Sequence, residues 1–172
     1  MYYLKQINGE YDTVDSMVNA INYIFKDKTN HAKNVMWYGS FNIYDIKTTA
    51  DEMIMIKNYY NEFSGKLILH FIVSFEKTDY FIFSDAVLFA NLICGFFCLR
   101  HQIVYAVHTD TDNLHIHFIL NTISFVDGQR INRSFAEQEK FKAYVNKCYQ
   151  IVKTGSNKVI KDFHRQENEA WC

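Results

Sequence analysis

Three of the seven histidines fall within ten positions of one another, at His108, His115 and His117. Successive side chains of a strand point to opposite faces, so His115 and His117 share one face. Ile116 and Phe118 lie on the other face, which is apolar and is therefore predicted to face the core. The face that carries the histidines is expected to border a cleft or solvent.

A tight turn is predicted to bring His108 back beside the other two histidines. Residues 110–113 (Asp-Thr-Asp-Asn) favour turns, so the strand that ends at His108 folds back on the strand that carries His115 and His117. Three neutral imidazoles that converge from a rigid hairpin are a good site for one divalent metal ion, with coordination positions left for water or substrate. Asp110 lies next to this site and is expected to orient one histidine through its second ring nitrogen.

The type of ligand narrows the choice of metal. Imidazole suits Mn²⁺, Zn²⁺, Ni²⁺ and Co²⁺. Mg²⁺ is also compatible, because it can take its remaining ligands from phosphate and water. We expect Mg²⁺ or Mn²⁺ to be the ion in use, with Zn²⁺, Ni²⁺ or Co²⁺ as substitutes.

Helical and strand-like patterns alternate along the rest of the sequence. Apolar residues at helical spacing predict a helix from Thr13 or Asp15 to about residue 25, and others over residues 49–64, 84–99 and 135–153. Strands are predicted over residues 66–75, 102–109 and 114–124, with shorter ones around residues 35–43 and 130–131. This order predicts an α+β fold with a central, mainly antiparallel β-sheet flanked by helices.

The composition favours one packed domain. The chain has 172 residues, of which 49% are hydrophobic, and this is enough for a real core. We expect a single domain over residues 1–172, with residues 154–172 as a polar C-terminal tail. No apolar run reaches the length of a membrane span, so no membrane insertion is predicted. The four cysteines include no Cys-x-x-Cys pair, and a reducing cytoplasm is the expected compartment.

The net charge of the chain does not show whether it binds nucleic acid. A net charge of −1 is not typical of a strong non-specific nucleic-acid binder. Residues 1–125 contain 9 Lys and Arg against 13 Asp and Glu, whereas residues 126–172 contain 9 against 6. A bound cation would add positive charge among the acidic residues, so the charge neither excludes DNA nor argues for it.

Residues 108–121 (HTDTDNLHIHFILN) resemble the three-histidine motif of relaxases, the mobilisation nucleases of conjugative plasmids and integrative elements. Relaxases belong to the HUH endonuclease group, whose metal site contains a histidine, a hydrophobic residue and a histidine in succession. Residues 20–29 (AINYIFKDKT) are similar to the relaxase segment that carries the nucleophilic tyrosine, and residues 69–75 (LHFIVSF) are similar to the strand before the central helix. The resemblance covers roughly residues 15 to 135, with the three segments in the family's order.

The resemblance implies a single relaxase domain that nicks and rejoins DNA. Tyr23 would attack a phosphodiester at a transfer origin, leaving a 5′-phosphotyrosine on the protein and a free 3′-hydroxyl. The metal ion would stabilise charge on the phosphate oxygens. The implied partners are single-stranded or origin DNA and accessory mobilisation proteins.

Further residues are candidates for supporting roles. His70 and Glu76 share one face of their predicted strand, and Asn121 shares the face of His115 and His117, so all three are candidates to support the metal site or the nucleophile. The basic residues that are candidate phosphate contacts are Lys28, Lys33, Arg130 and Arg133.

Three alternatives remain open from the sequence. Residues 144–147 (Tyr-Val-Asn-Lys) are similar to the Tyr-x-x-Lys of replication initiators and single-tyrosine transposases of the HUH group, which would make Tyr144 the nucleophile; Tyr149 lies on the same predicted helix. A degenerate relaxase would bind DNA without cutting it. A metal-dependent hydrolase would cleave with water and form no covalent intermediate.

Overall fold

The computed structural model describes residues 1–25, 35–77, 81–109 and 113–169, with side chains up to residue 155. Within these ranges five strands form one antiparallel sheet in the order β1-β3-β5-β4-β2. The strands are β1 (Tyr2–Gln6), β2 (Val35–Phe41), β3 (Ile68–Phe75), β4 (Ile103–His108) and β5 (His115–Asn121). The predicted α+β class with a central antiparallel sheet is confirmed.

Four α-helices accompany the sheet in the described part of the chain: α1 (Val14–Phe25), α2 (Thr49–Tyr60), α3 (Phe83–Cys94) and α4 (Phe135–Glu169). The α1 helix begins where the Thr13 hydroxyl accepts a hydrogen bond of 3.1 Å from the backbone N–H of Ser16, as expected for an N-cap threonine. The α2 helix ends at Asn61, whose left-handed backbone (φ 52°) stops the helical turn. None of the described helices has the length and apolar character that a membrane span requires.

A pair of helices covers each face of the sheet. Side chains of α1 and α2 pack on one face in the cluster Met17, Ala20, Ile21, Ile24, Met53, Leu67, Ile68, Val104, Ala106 and Ile119. On the other face, α3 and α4 pack against side chains that include Phe71, Tyr105, Phe118 and Leu120. Because β5 is the middle strand and β4 lies beside it, every residue of both strands is buried.

This burial corrects one expectation about the histidine face. The sequence predicted that His115 and His117 would border a cleft or solvent. They are only 7% and 4% exposed, so they do not face open solvent, whereas His117 does line a pocket. The apolar alternation correctly identified one core face, on the side of α3 and α4. It could not show that α1, which is distant in sequence, covers the other face as well.

Several elements differ from the sequence-based prediction. The third helix was expected to reach about residue 99, but it ends at Cys94. The β1 strand was not predicted, because it is a short edge strand of five residues and none of them is fully buried. The last helix was expected to end near residue 153, but it continues to Glu169, through most of the segment predicted as a polar tail. The short strand expected near residues 130–131 is only an isolated bridge between Ile123 and Arg130.

Candidate metal centre

The hairpin of β4 and β5 brings the three histidines together. His108 at the end of β4 pairs with His115 at the start of β5, and His117 lies two residues further along β5. The ring centroids are 4.6 Å apart for His108 and His117, 5.2 Å for His115 and His117, and 5.5 Å for His108 and His115. One nitrogen from each ring lies within 4.8 Å of the other two, a grouping that could hold a metal ion.

Backbone carbonyls fix the orientation of two of the rings. Nε2 of His108 lies 2.8 Å from the carbonyl oxygen of Ile24, and Nδ1 of His115 lies 3.0 Å from that of Asn113. A carbonyl oxygen only accepts, so each of these nitrogens carries the proton in the neutral imidazole. The lone pair is therefore on Nδ1 of His108 and on Nε2 of His115.

The third ring is held by a chain of side chains. Nδ1 of His117 lies 3.0 Å from Nε2 of His70, and Nδ1 of His70 lies 3.0 Å from the Tyr11 hydroxyl. If His117 donates through Nδ1, then His70 accepts at Nε2 and donates from Nδ1 to the Tyr11 oxygen. Burial, with a smaller contribution from His108, lowers the pKa of His70 to about 4 and keeps this ring neutral near pH 7.

This donor set fits a divalent cation. Metal-binding histidines ordinarily donate their second N–H to a carbonyl or another acceptor, which fixes the tautomer and the direction of the lone pair. Each of the three histidines has a partner of this kind at one ring nitrogen, which leaves its other nitrogen to bind a cation. Three imidazole ligands leave coordination positions for water or a phosphate oxygen, as in open metal sites.

Tyr23 lies beside the three histidines. It occupies the last turn of α1, one residue before Ile24, whose carbonyl binds His108. Its ring meets the ring of His117 edge to face, with 5.8 Å between the centroids. The side chain is 44% exposed, so a substrate that approaches the histidines can also contact Tyr23.

The other tyrosine considered from the sequence lies on the opposite face of the sheet. Tyr144 on α4 donates a hydrogen bond of 2.9 Å to the carbonyl of Leu92 on α3, and its ring packs against Phe96. Burial raises the pKa of its phenol, so a smaller fraction ionises to the phenolate that would attack a phosphate. Tyr149 is 5% exposed and packs against Tyr2 and Phe81, in the same layer as Tyr144. The structure therefore does not bring either tyrosine to the histidines.

Two predicted supporting residues make other contacts. The Glu76 carboxylate accepts a hydrogen bond of 2.8 Å from Tyr3 and lies 3.4 Å from the N-terminal amine of Met1. Asn121 is four residues beyond His117 on β5, about 13 Å away at the usual rise of a strand. There its side chain binds Lys57 and Gln102 inside the core. His70, in contrast, contacts the group of three histidines directly, through His117.

The predicted phosphate contacts are not grouped at this site. Arg130 donates to the backbone carbonyls of Ser64 and Lys66 and fastens the loop before β3. Arg133 lines a pocket on the other face of the sheet, formed mainly by β1, β3, α4 and the segment that follows α3. Lys28, Lys33 and Asp110 lie outside the described residues.

Sequence reasoning missed a pocket next to the histidines. Residues of α1, β3 and the segment between β1 and α1 line it, and Tyr11, Asn19, Tyr23, His70 and His117 are among them. Four of its residues, Ser16, Asn19, Ala20 and Tyr23, follow one another at helical spacing on α1. That spacing could have been recognised in the sequence, whereas nothing local marks Tyr11.

The comparison with family models agrees with this arrangement. The model described as "Relaxase: MobA/VirD2-like, nuclease domain" matches residues 23–151, which are 129 of the 172 residues. The chain therefore belongs to this relaxase nuclease family. The matched range begins at Tyr23 and includes all three histidines. A search of curated proteins found no match.

Proposed function

We propose that this chain is a metal-dependent DNA relaxase that nicks one strand at a transfer origin through Tyr23 and can rejoin it during conjugative mobilisation. One observation carries the proposal: the Tyr23 ring contacts His117 at the edge of the three-histidine group and is still exposed to a substrate. Membership of the relaxase nuclease family supports it independently.

The residues of the site have distinct roles in this reaction. His108, His115 and His117 hold the cation, and His70 keeps His117 in the tautomer that can bind it. A divalent cation bound there supplies electrostatic stabilisation to the scissile phosphate. The cation would be Mg²⁺ or Mn²⁺ in the cell, with Zn²⁺, Ni²⁺ or Co²⁺ as substitutes.

Tyr23 performs the covalent step. Its oxygen bonds to phosphorus, the bond between phosphorus and the 3′-oxygen breaks, and the proton lost by the phenol is balanced by one gained at the 3′-oxygen. The product is a 5′-phosphotyrosine and a free 3′-hydroxyl. Because the protein–phosphate ester replaces the DNA ester, the 3′-hydroxyl can later reverse the step and rejoin the strand.

The partner in this proposal is single-stranded DNA at the origin, and we expect the protein to act in the cytoplasm, where that DNA lies. Accessory mobilisation proteins would select and open the origin. The low net charge of −1 is consistent with a need for such help, because it provides little sequence-independent attraction to phosphate.

A covalent-trapping experiment tests the proposal. The chain is incubated with Mn²⁺ and a labelled pool of randomised single-stranded oligonucleotides, and adducts that survive denaturation are separated by gel electrophoresis. We expect an adduct with the natural chain and with the Tyr144→Phe variant, and none with Tyr23→Phe or with EDTA. An adduct lost in Tyr144→Phe but kept in Tyr23→Phe would indicate an initiator-like enzyme. Cleavage without an adduct would indicate hydrolysis, and binding without cleavage would indicate a degenerate relaxase.

A further inference from the structure

The described residues that line the pocket beside the histidines carry no charged side chain. Its described lining consists of aliphatic, aromatic, hydroxyl, amide and imidazole groups: Ile7, Tyr11, Ser16, Asn19, Ala20, Tyr23, His70, Ile72 and His117. No Lys, Arg, Asp or Glu is among these lining residues. In its described part the pocket therefore differs from a phosphate site, which would present cationic side chains.

The polar groups of the pocket differ in whether they already form hydrogen bonds within the chain. The Ser16 hydroxyl donates a hydrogen bond of 2.8 Å to the Thr13 carbonyl at the start of α1. The Tyr11 hydroxyl lies 3.0 Å from His70. The side-chain amide of Asn19 makes no hydrogen bond to any part of the chain that the structure describes, and the residue is exposed. Asn19 is therefore the group with both a donor and an acceptor to offer to a ligand.

Asn19 lies on the same helix as Tyr23, the residue proposed to attack the phosphate, so the distance between the two can be compared with the size of a nucleotide. Asn19 and Tyr23 are four residues apart on one stripe of α1, which is about 6 Å along the helix axis. A nucleotide adjoining the phosphate that Tyr23 attacks can span this distance. Its phosphate would remain with Tyr23 and the histidines, while its base would enter the uncharged pocket.

We propose that this pocket binds one nucleobase of the DNA strand, next to the scissile phosphate, and that the Asn19 amide pairs with the edge of that base. This inference rests on the proposed nicking function and adds a determinant of sequence preference to it. The aromatic side chains of Tyr11 and Tyr23 and the aliphatic side chains of the lining suit a planar uncharged heterocycle. An asparagine amide pairs through two hydrogen bonds with adenine, so adenine is the expected base.

Sequencing of covalently trapped DNA tests this inference. Adducts formed from a randomised single-stranded pool with Mn²⁺ are collected for the natural chain, for Asn19→Ala and for Asn22→Ala. Asn22 is the matched control, because it is an exposed asparagine of the same helix that does not line the pocket. Alanine is favourable within a helix, so both variants are expected to fold, and circular dichroism checks this.

The natural chain and Asn22→Ala are expected to enrich adenine at one position adjoining the cleaved bond. In Asn19→Ala that enrichment should fall about tenfold, the size that one two-bond amide–base pair supports, while preferences at other positions persist. The same enriched base at the same strength in Asn19→Ala would overturn the pocket assignment and leave the nicking function intact. Absence of any adduct from the natural chain would instead overturn the proposed function, and this inference with it.

Discussion

The chain of contacts from Tyr11 through His70 to His117 is predicted to set metal affinity. In His70→Phe the ring volume is kept, but the acceptor for Nδ1 of His117 is lost. His117 is 4% exposed, so little water can replace that acceptor, and a buried donor without a partner costs about 1–3 kcal/mol. Because about 1.4 kcal/mol corresponds to a factor of ten, metal affinity should fall by about tenfold to one hundredfold. Loss of an outer partner of a metal-binding histidine has effects of about this size.

Calorimetric titration of the DNA-free chain with Mn²⁺, and visible spectra with Co²⁺, measure this affinity directly. Tyr11→Phe removes only the hydroxyl that contacts His70, so its effect on metal affinity should be smaller. Loss of one neutral hydrogen bond should lower the affinity about tenfold at most. His70→Gln retains a side-chain oxygen that can accept from His117 and should recover part of the loss. Equal metal affinities of the natural chain and His70→Phe would show that His70 does not orient His117 for metal binding.

Two further predictions concern groups away from the histidines. Burial lowers the pKa of Lys57 to about 7 from its ordinary value of 10.5, so the unfolded chain binds more protons than the folded chain between these values. The free energy of unfolding of the natural chain, relative to Lys57→Met, should therefore rise between pH 7 and pH 9 by up to about 1.4 kcal/mol per pH unit. Urea unfolding of both proteins at three pH values measures this difference in the free energy of unfolding. A difference that does not change with pH would contradict the prediction. Tyr144→Phe should lower the free energy of unfolding by about 1 kcal/mol through loss of the bond to Leu92, with DNA adduct formation unchanged. Loss of the adduct in a folded Tyr144→Phe protein would argue against a purely structural role.

The sequence was sufficient to predict the grouping of the histidines, for a simple reason. The two-residue period of a strand put His115 and His117 on one face, and turn-forming residues implied that His108 folds back beside them. The hairpin register agrees with this expectation. The apolar residues between the histidines correctly indicated the face that α3 and α4 cover.

Contacts between distant segments could not be predicted in this way. Arg130 was predicted as a candidate phosphate contact. It binds the backbone carbonyls of Ser64 and Lys66, which are more than sixty positions away in the sequence, and no local pattern encodes contacts of this kind. Tyr11 lies outside the regular elements, so its hydrogen-bonding position beside His70 depends on how β1 and α1 pack around β3. The proximity of Tyr23 to the histidines was expected only from the family resemblance, because helical periodicity alone does not show which sheet face a helix covers.

Anomalous diffraction from crystals of the chain grown with Zn²⁺ is the most direct test of the central claim. We expect one ion bound by Nδ1 of His108 and by Nε2 of both His115 and His117, at about 2.0–2.1 Å, with the Tyr23 hydroxyl facing its open coordination positions. An ion bound elsewhere, or three imidazoles that do not share it, would show that these histidines do not form the metal site.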